Sequence, residues 1–494
     1  MLISMLLVIL KPNFNRKTSN LIQILGTNHI MVVMPGLTKQ YFVQRPTVLT
    51  NDDFIFYLHD KYFGDGGECG RLATDDYHTV HRTLNSLMKE PFLSTATGCM
   101  AELIGKTAYQ LFSFSADPAK QLHWERIGRA VPVLAGGDHV EVDLFALTMN
   151  YIGDIAGEVL MGKAFFENNP NVLDDLWVFD DGFNALLSGA PPVTPKISRA
   201  KAARARLNKV FGEWNMALSK TLKGEDPGHQ WRDMSDVSET MKMRTSALQG
   251  IGSSDVHNSA TNLGVYWAMM VNANKVTFWL LLHIISNPSL LATIRAEIAP
   301  FATTTTTTDQ KTPPHLSLDA ENLAKSCPTL KAAFYEAMRL YTAGTAYKKV
   351  LQPVTLTESG SDAAALGKPR PQTYRVPAGA FLVVPGAAMQ TDGRLWRDPE
   401  RFDAGRFLIP ADEKGGVRAD VRHLNAFGGG HTVCKGRTFA EREVLLFVAG
   451  FLAVWEFAPV PVEGAGWRIP GKWYNGTGSA SPAGPVRVRV GRRA

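Results

Sequence analysis

Cys434 lies in a stretch whose residue types could form a metal-binding thiolate. It follows three consecutive glycines, at positions 428–430, and precedes Gly436 and a long apolar run that predicts a helix to about Trp455. Glycine permits positive φ and lets the backbone approach a flat ligand closely. The free N–H groups and positive dipole end of the following helix would favour the anionic form of a nearby sulfur. The stretch therefore predicts a buried thiolate beside a ligand.

The residues around this cysteine also resemble a known family. A thiolate is a suitable axial ligand for haem iron, because it donates electron density that favours O–O cleavage. The segment FGGGHTVCKGRTFA resembles the cysteine-ligand loop of the cytochrome P-450 superfamily, F-x-x-G-x-x-x-C-x-G, in its fungal form. The resemblance implies haem b, with the iron ligated by Cys434 and with Phe427, Gly430 and Gly436 around the cofactor. The alternative is a turn that holds an inert cysteine.

A second motif, E-x-x-R, lies upstream on a helix predicted from Leu330 to Tyr341. Glu336 and Arg339 are about one helical turn apart, so they share a face and can pair. In the resembling family an arginine of a later loop joins this pair to form a core network. We assign that arginine to Arg406, with Arg401 as the alternative. Because a buried ionic network must be completely satisfied, losing a member should prevent haem incorporation.

The longest apolar stretch, from Thr261 to Ser286, predicts a buried central helix. Asn272, Asn274 and Lys275 near its centre would be unfavourable in lipid, so they predict a polar notch in a core helix. The pattern W-A-x-x-x-N followed by F-W resembles the branch with prostacyclin synthase and the sterol 7α- and 12α-hydroxylases. In the family this helix crosses the distal face of the haem. The resemblance implies catalytic roles for Asn272 and Ala268, although the usual acid and threonine are absent.

Basic side chains elsewhere could bind the haem propionates. Lys348 stands where the family typically has an arginine, and Lys349 is the alternative. Arg82 lies on a predicted helix that often holds a propionate in the family, with histidines at positions 78 and 81. Thr432 stands where an arginine or histidine usually makes such a contact. Because a lysine lacks the bidentate fork of arginine, these substitutions predict weaker haem retention.

Composition excludes several function classes. The chain has 494 residues, 45% of them hydrophobic and 20% charged, which is ordinary for a globular protein with a large core. Four cysteines without C-x-x-C pairing argue against a disulfide framework or a zinc site and for a reducing compartment. The net charge of +6 is spread along the chain, without a basic block of the kind that grips nucleic acid. We expect no nucleic-acid partner and a mild preference for a membrane surface or an acidic protein.

The N-terminus begins with the apolar sequence MLISMLLVIL. A membrane-spanning helix needs about 20 such residues, so residues 1–25 predict a short apolar segment, either buried or a truncated membrane anchor. Residues 26–494 are expected to form the catalytic domain. The resemblance implies a mainly α fold with small β-sheets (α+β): a triangular single domain with haem between a long central distal helix and the cysteine-ligand loop. It also implies the cytosolic face of the endoplasmic reticulum membrane.

The motifs together predict an enzyme. The first hypothesis is a haem-thiolate monooxygenase that inserts one atom of dioxygen into an apolar small molecule, such as a terpenoid, polyketide, alkaloid or lipid of fungal secondary metabolism. NADPH electrons would come from cytochrome P-450 reductase, docked near the basic residues Arg422, Lys435, Arg437 and Arg442. The alternative is a haem-thiolate isomerase or dehydratase that acts on a hydroperoxide or endoperoxide without external electrons. A minor alternative is a non-catalytic haem-binding protein.

Overall fold

Helices form most of the chain in the computed structural model, which describes residues 21–24, 27–133, 138–189, 191, 193–305, 314–411, 416–422, 424–460 and 466–493. Most of the apolar segment predicted at residues 1–25 lies outside these ranges. The described α-helices are α1 Pro35–Val43, α2 Asp52–Leu58, α3 Thr74–Arg82, α4 Phe92–Thr107, α5 His123–Ile127, α6 Leu144–Met161, α7 Lys163–Asn168, α8 Val172–Asp181, α9 Phe183–Leu187, α10 Pro195–Leu222, α11 Glu239–Gly250, α12 Asp255–Ile285, α13 Pro288–Ile298, α14 Ala320–Ser326, α15 Pro328–Tyr341, α16 Gly360–Ala365, α17 Gly386–Gln390 and α18 Arg437–Val454.

The strands form small sheets. They are β1 Leu21–Ile24, β2 Thr27–Met31, β3 Leu49–Thr50, β4 Val131–Pro132, β5 His139–Asp143, β6 Ala302–Thr305, β7 His315–Leu318, β8 Thr345–Val350, β9 Val354–Thr357, β10 Thr373–Val376, β11 Phe381–Pro385, β12 Leu408–Pro410, β13 Val417–Ala419, β14 Trp455–Pro459, β15 Lys472–Trp473, β16 Ser481–Pro482 and β17 Arg487–Arg492. The largest sheet has the order β1-β2-β11-β8-β3, and a second has the order β14-β17-β5-β4. This architecture confirms the predicted mainly α fold with small sheets.

The central helix α12 is the longest apolar element that the structure describes. The Ser254 hydroxyl caps its first turn by accepting from the His257 N–H at 3.2 Å. Among the described residues, α12 is the one helix long and apolar enough to cross a membrane, but 78% of its apolar window is buried inside the protein. It packs against α6, α10, α15 and α18. The prediction of a buried core helix over Thr261–Ser286 is therefore confirmed.

Helix α15 begins at a proline, and a side chain from α13 binds the N–H groups of its first turn. Pro328 occupies its first turn, where a missing N–H is tolerated. The Glu297 carboxylate accepts from the N–H groups of Thr329 and Leu330 at 2.9–3.1 Å. These bonds satisfy donors that a helix start otherwise leaves free. The start of α15 is thereby set, and with it the direction of the E-x-x-R side chains.

Candidate active site

A cavity of about 730 Å³ lies among α12, α18, β8 and the loop before Cys434. Its walls are mainly apolar, and its size is that of a site for a cofactor or a drug-sized molecule. The predicted site residues that line it are Arg82, Ala268, Asn272, Lys348, Phe427, Cys434 and Gly436. The structure thus brings together residues from four separate stretches of the sequence.

The loop before Cys434 is a tight turn closed by a backbone hydrogen bond. Gly428 and Gly430 have positive φ values of 70° and 59°, which favour glycine. The Cys434 N–H donates to the Phe427 carbonyl oxygen at 2.9 Å. The turn ends at Gly436, directly before the first residue of α18. The cysteine is therefore held at the N-terminus of a long helix, as the sequence indicates.

The electrostatic surroundings of Cys434 suit a metal-bound thiolate. Its exposed surface faces the cavity that it lines. Burial raises the pKa of its thiol, whereas the Gly436 N–H, the Arg437 guanidinium and the Arg437 N–H act to lower that pKa. A metal ion adds the positive charge that removes the proton from a coordinating thiol. Among the described lining residues, Cys434 is the one cysteine, so the site fits a haem ligated by this sulfur.

Gly430 is not among the residues that line the cavity, and its predicted place around the cofactor stays a prediction. A Cβ on Gly430 would overlap the carbonyl oxygen of Phe42 at the end of α1, and one on Gly429 would lie 2.7 Å from the Phe42 ring. These glycines therefore let the loop pack against α1. The glycine that reaches the cavity is Gly428. A glycine run indicates that a close approach occurs, but it does not indicate which residue is approached.

Asn272 and Ala268 lie one turn apart on α12 and both line the cavity. The Asn272 Oδ1 is buried and has no hydrogen-bond partner among the described residues. The polar notch predicted from the sequence is, however, divided between different faces of the helix. Asn274 donates to the Met149 carbonyl oxygen at 3.1 Å, and Lys275 donates to Asp180 at 2.8 Å. A rotation of about 100° per residue separates these side chains, so only Asn272 faces the cavity.

Lys348 presents an unpaired cation to the cavity. Its side chain is 1% exposed, and its Nζ has no hydrogen-bond partner among the described residues. The Nζ lies 4.7 Å from the ring centroid of Tyr41, and burial lowers the pKa of Lys348 to about 8. A buried cation is unfavourable unless an anion compensates it. This orphaned ammonium fits the carboxylate of a haem propionate, whereas the alternative Lys349 pairs with Asp53 and does not line the cavity.

The other candidate propionate ligands are less suitably placed. Arg82 borders the cavity but is exposed, and its guanidinium donates to the Thr79 hydroxyl at 2.9 Å. Burial lowers the pKa of His81 to about 4, so this imidazole is neutral near pH 7. Thr432 donates to the Gly429 carbonyl oxygen at 3.0 Å and so stabilises its own loop. Of the predicted cations, Lys348 therefore has the strongest need for an anion.

The E-x-x-R motif and the later arginine meet in the core. Arg339 donates to both carboxylate oxygens of Glu336, at 2.7 and 2.8 Å, and both side chains are fully buried. Arg406 donates to Glu336 at 3.2 Å, and the Asp403 N–H donates to the same carboxylate at 2.9 Å. Arg401 takes part only through its carbonyl oxygen, among the contacts of the described residues. The geometry thus favours Arg406, and the role of the network in haem incorporation stays a prediction.

Among the cavity residues that sequence reasoning missed, two have a buried polar atom without a hydrogen-bond partner in the described structure. Glu443 on α18 is 1% exposed, its Oε1 has no partner among the described residues, and burial raises its pKa to about 8. It lies one turn beyond Ala440, so helical spacing from the cysteine loop could have found it. Ser479 comes from a loop far along the chain, and its Oγ is also buried and without a partner in the described structure. The local sequence carries no signal for this long-range contact.

A second group of possible metal ligands lies outside the cavity lining. Its members are His59, Asp65 and Cys69. Asp65 already accepts from the N–H groups of Gly67 and Cys69, both at 2.8 Å, and its Oδ2 lies 3.2 Å from the Nδ1 of His257. These contacts organise the turn after α2. They also explain the buried carboxylate without a metal ion.

Comparison with known proteins identifies the family of this chain. The family model of cytochrome P450 matches residues 139–466. The chain is 28% identical over 320 residues to cytochrome P450 monooxygenase poxD of Penicillium oxalicum, covering 64% of this chain and 58% of that protein. It is 23% identical over 443 residues to 25-hydroxycholesterol 7-alpha-hydroxylase of Rattus norvegicus, covering 87% and 93%. It is 26% identical over 279 residues to prostacyclin synthase of Bos taurus, covering 53% and 50%.

These matches differ in extent but agree on the family. The chain spans less than two thirds of the length of the Penicillium and Bos relatives. The match to the rat hydroxylase extends over most of both proteins. The matched residues include the central helix, the E-x-x-R helix and the cysteine loop. Because the family model covers more than half of the 494 residues, the chain belongs to the cytochrome P450 family.

Proposed function

We propose that this protein is a haem-thiolate monooxygenase that inserts one atom of dioxygen into an apolar small molecule of fungal secondary metabolism. One observation carries the proposal: Cys434, Ala268 and Asn272 all line one mainly apolar cavity. A thiolate ligand and a distal helix therefore share the space that would hold the haem and the substrate. The fungal relatives named as monooxygenases support the type of reaction.

Haem bound in this cavity would supply dioxygen activation through its thiolate-ligated iron. Cys434 would hold the iron, and Lys348 would neutralise a propionate. Phe427 lines the cavity on the same loop and would limit the access of water to the sulfur. These residues would thereby hold the cofactor in the cavity. The remaining apolar space is left for the substrate.

Asn272 would organise protons on the distal side. Its amide cannot ionise, so it cannot act as an acid, but it can hold an ordered water by accepting at Oδ1. That oxygen is buried and unpartnered in the described structure, which leaves it available for this purpose. Ala268 leaves space one turn away on the same face of α12. The pair would thus position water and substrate in place of the acid and alcohol that are more usual in the family.

Electrons would come from NADPH through a reductase that docks on the side of Cys434. Arg422 and Lys435 offer basic groups there, and Arg437 lies at the start of α18. Arg442 is partly engaged, because its guanidinium lies 3.5 Å from Glu90. A complementary acidic surface on the reductase would be steered by this charge. We also propose the cytosolic face of the endoplasmic reticulum membrane as the location.

A second candidate function is the rearrangement of a hydroperoxide or endoperoxide. The specific observation is the lining of the distal helix: Val265, Ala268, Met269, Asn272, Ala273 and Val276 carry neither a carboxyl nor a hydroxyl group. A rearrangement needs no external protons or electrons, so such a wall would suffice. The similarity to prostacyclin synthase favours the same candidate. A non-catalytic haem protein would turn over neither dioxygen nor peroxide.

Product analysis with isotopically labelled dioxygen tests the proposal. The purified protein is incubated with NADPH, a reductase and panels of sterols, fatty acids and terpenoids, and products are searched for one labelled oxygen atom. Labelled product that requires the reductase supports the monooxygenase. Isomerisation of a fatty-acid hydroperoxide or an endoperoxide to a product of the same mass, without reductase-dependent product, would instead support the rearranging enzyme.

A matched pair of variants tests the distal role of Asn272. Asn272→Ala is expected to lower the fraction of NADPH electrons that reach product while leaving haem content unchanged. Asn274→Ala is the control, because Asn274 lies on the same helix but outside the cavity lining. Wild-type coupling in Asn272→Ala would contradict the assigned role.

A further inference from the structure

We propose that the buried Asp180–Lys275 ion pair is a positioning device that holds the segment Asn475–Ser479 as a cavity wall, where Ser479 and Asn272 form a polar corner for a substrate hydroxyl. The inference rests on the proposed function and narrows its substrate class to an apolar skeleton that carries a hydroxyl group. It is built from residues of three distant stretches of the chain. None of them contributes to the cysteine loop.

The ion pair lies in the core and is completely satisfied on the carboxylate side. Asp180 and Lys275 are 5% and 2% exposed, and the Lys275 Nζ lies 2.8 Å from the Asp180 Oδ2. The Trp267 indole donates to Asp180 Oδ1 at 3.0 Å. The Asn475 amide donates to Asp180 Oδ2 at 2.9 Å. Because a buried pair gains little net stability over apolar packing, the arrangement suggests a role in specifying geometry.

The pair is joined to the segment Asn475–Ser479 by side-chain bonds. The Asn475 Nδ2 donates also to the Asp180 carbonyl oxygen at 3.0 Å, and its Oδ1 accepts from the Thr477 N–H at 3.2 Å. The Lys275 Nζ lies 3.4 Å from the Thr477 hydroxyl. Asp180 and Lys275 therefore fix the first half of the segment to α8 and α12.

The second half of the segment is fixed by backbone bonds to the end of α15. The Ala343 N–H donates to the Gly478 carbonyl oxygen at 2.7 Å, and the Ala480 N–H donates to the Tyr341 carbonyl oxygen at 2.8 Å. Gly478 and Ser479 lie between these anchors and line the cavity. The backbone bonds hold the Ser479 end of the segment. The position of the Asn475 end depends on its bonds to Asp180 and Lys275.

The segment packs directly on the distal asparagine. A Cβ on Gly478 would lie 2.7 Å from the Asn272 Oδ1, so only glycine allows this approach without displacement. The Asn272 Oδ1 and the Ser479 Oγ are both buried, and neither has a partner among the described residues. A buried polar atom without a hydrogen bond is unfavourable, so a ligand group that bonds to these two atoms would gain affinity.

A hydroxyl group on the substrate would satisfy both atoms. It can donate to the Asn272 Oδ1, which only accepts, and accept from or donate to the Ser479 hydroxyl. A purely hydrocarbon ligand would leave both atoms unsatisfied. The polar corner therefore discriminates between ligands of equal size by the presence of a hydroxyl group.

The test uses alkylimidazoles with tails of different lengths, each with and without a terminal hydroxyl group. Binding of the imidazole nitrogen to the haem iron is followed by the optical difference spectrum, so no turnover is needed. In the wild-type protein, the hydroxylated form is expected to bind about tenfold more tightly at one tail length. This preference is expected to disappear in Ser479→Ala and in Lys275→Met. No hydroxyl preference at any tail length would overturn the polar corner.

Two further variants separate positioning from simple stability. Lys368→Met removes another ion pair, with the 1%-exposed carboxylate of Glu358, that does not line the cavity, and it should keep the preference. Asn475→Ala removes the hydrogen bonds between the segment and Asp180 without leaving a buried charge unpaired. It should lose the preference for the hydroxylated imidazole even if Lys275→Met does not fold. Retained preference in folded Lys275→Met or Asn475→Ala would overturn the positioning role.

The failure of this inference can be distinguished from the failure of the proposed function. A thiolate-type spectrum with imidazole binding but no hydroxyl preference would reject the polar corner alone. Absence of the thiolate-type spectrum would reject the proposed function itself. Haem content measured for every variant separates both results from loss of the cofactor.

Discussion

The substitution Glu336→Gln should destabilise the protein more than any other single change in the core network. Arg339 is fully buried and donates to both Glu336 oxygens, and to the carbonyl oxygens of Gln390 and Pro399 at 2.6 and 2.7 Å. Glutamine keeps the shape of Glu336 but removes the one anion near two guanidinium groups. Breaking a buried ion pair in this way costs about 3–5 kcal/mol. That loss is a large fraction of the roughly 5–15 kcal/mol that stabilises a typical domain.

Two matched variants make the prediction quantitative. Arg406→Ala should cost less, about 1–2 kcal/mol, because Arg406 is 12% exposed and meets Glu336 through a single 3.2 Å contact. Arg401→Ala should lie within about 0.5 kcal/mol of wild type, since its exposed side chain takes no part in the described network. Urea unfolding and haem content per chain measure the series. If Glu336→Gln were as stable as Arg401→Ala, the buried ion pair would not stabilise the protein as proposed.

Three other substitutions test separate parts of the site. Gly430→Ala should lower the free energy of unfolding by more than about 1 kcal/mol and reduce the haem content per chain, because its positive φ and the Phe42 carbonyl both exclude a side chain; unchanged unfolding would contradict that packing. Lys348→Met should stabilise the haem-free chain and weaken haem retention, because it removes a buried cation that needs an anion; tighter haem binding would contradict the propionate role. Burial raises the pKa of Glu443 to about 8, so the stability from its protonated form is present at low pH and is lost as pH rises through 8. Urea unfolding should therefore show that the stability of Glu443→Gln relative to wild type is greater at pH 9 than at pH 5. The difference grows by up to ~1.4 kcal/mol for each pH unit between the pKa values of Glu443 in the unfolded and the folded protein, and parallel pH profiles of the two proteins would contradict this prediction.

The sequence was sufficient where short-range spacing determines the structure. The i,i+3 spacing of Glu336 and Arg339 placed them on one face of α15, and the glycines and apolar run around Cys434 placed it before α18. The mainly α fold also followed, since long apolar periodic stretches are the most readable elements. These features depend on contacts within about one helical turn.

The sequence was insufficient where a side chain meets a partner from a distant stretch. Lys275 was assigned to the distal notch, but Asp180, 95 positions earlier in the chain, draws it to another face. Gly430 was predicted to lie around the cofactor, and the sequence did not indicate its close approach to Phe42 of α1. Ser479 carried no local pattern at all. A local sequence pattern indicates which face of an element is buried. It does not indicate which other element packs against that face, because that depends on distant parts of the chain.

The most direct test of the central claim is the carbon monoxide difference spectrum of the purified protein, reduced by dithionite and, in parallel, by NADPH with a reductase. A thiolate-type band is expected with both reductants in the wild-type protein. We expect Cys434→Ser to lose this band, whereas Cys69→Ser, which alters a cysteine outside the cavity lining, should keep it. A thiolate-type band that survives in Cys434→Ser would contradict the assignment of the iron ligand and, with it, the proposed function.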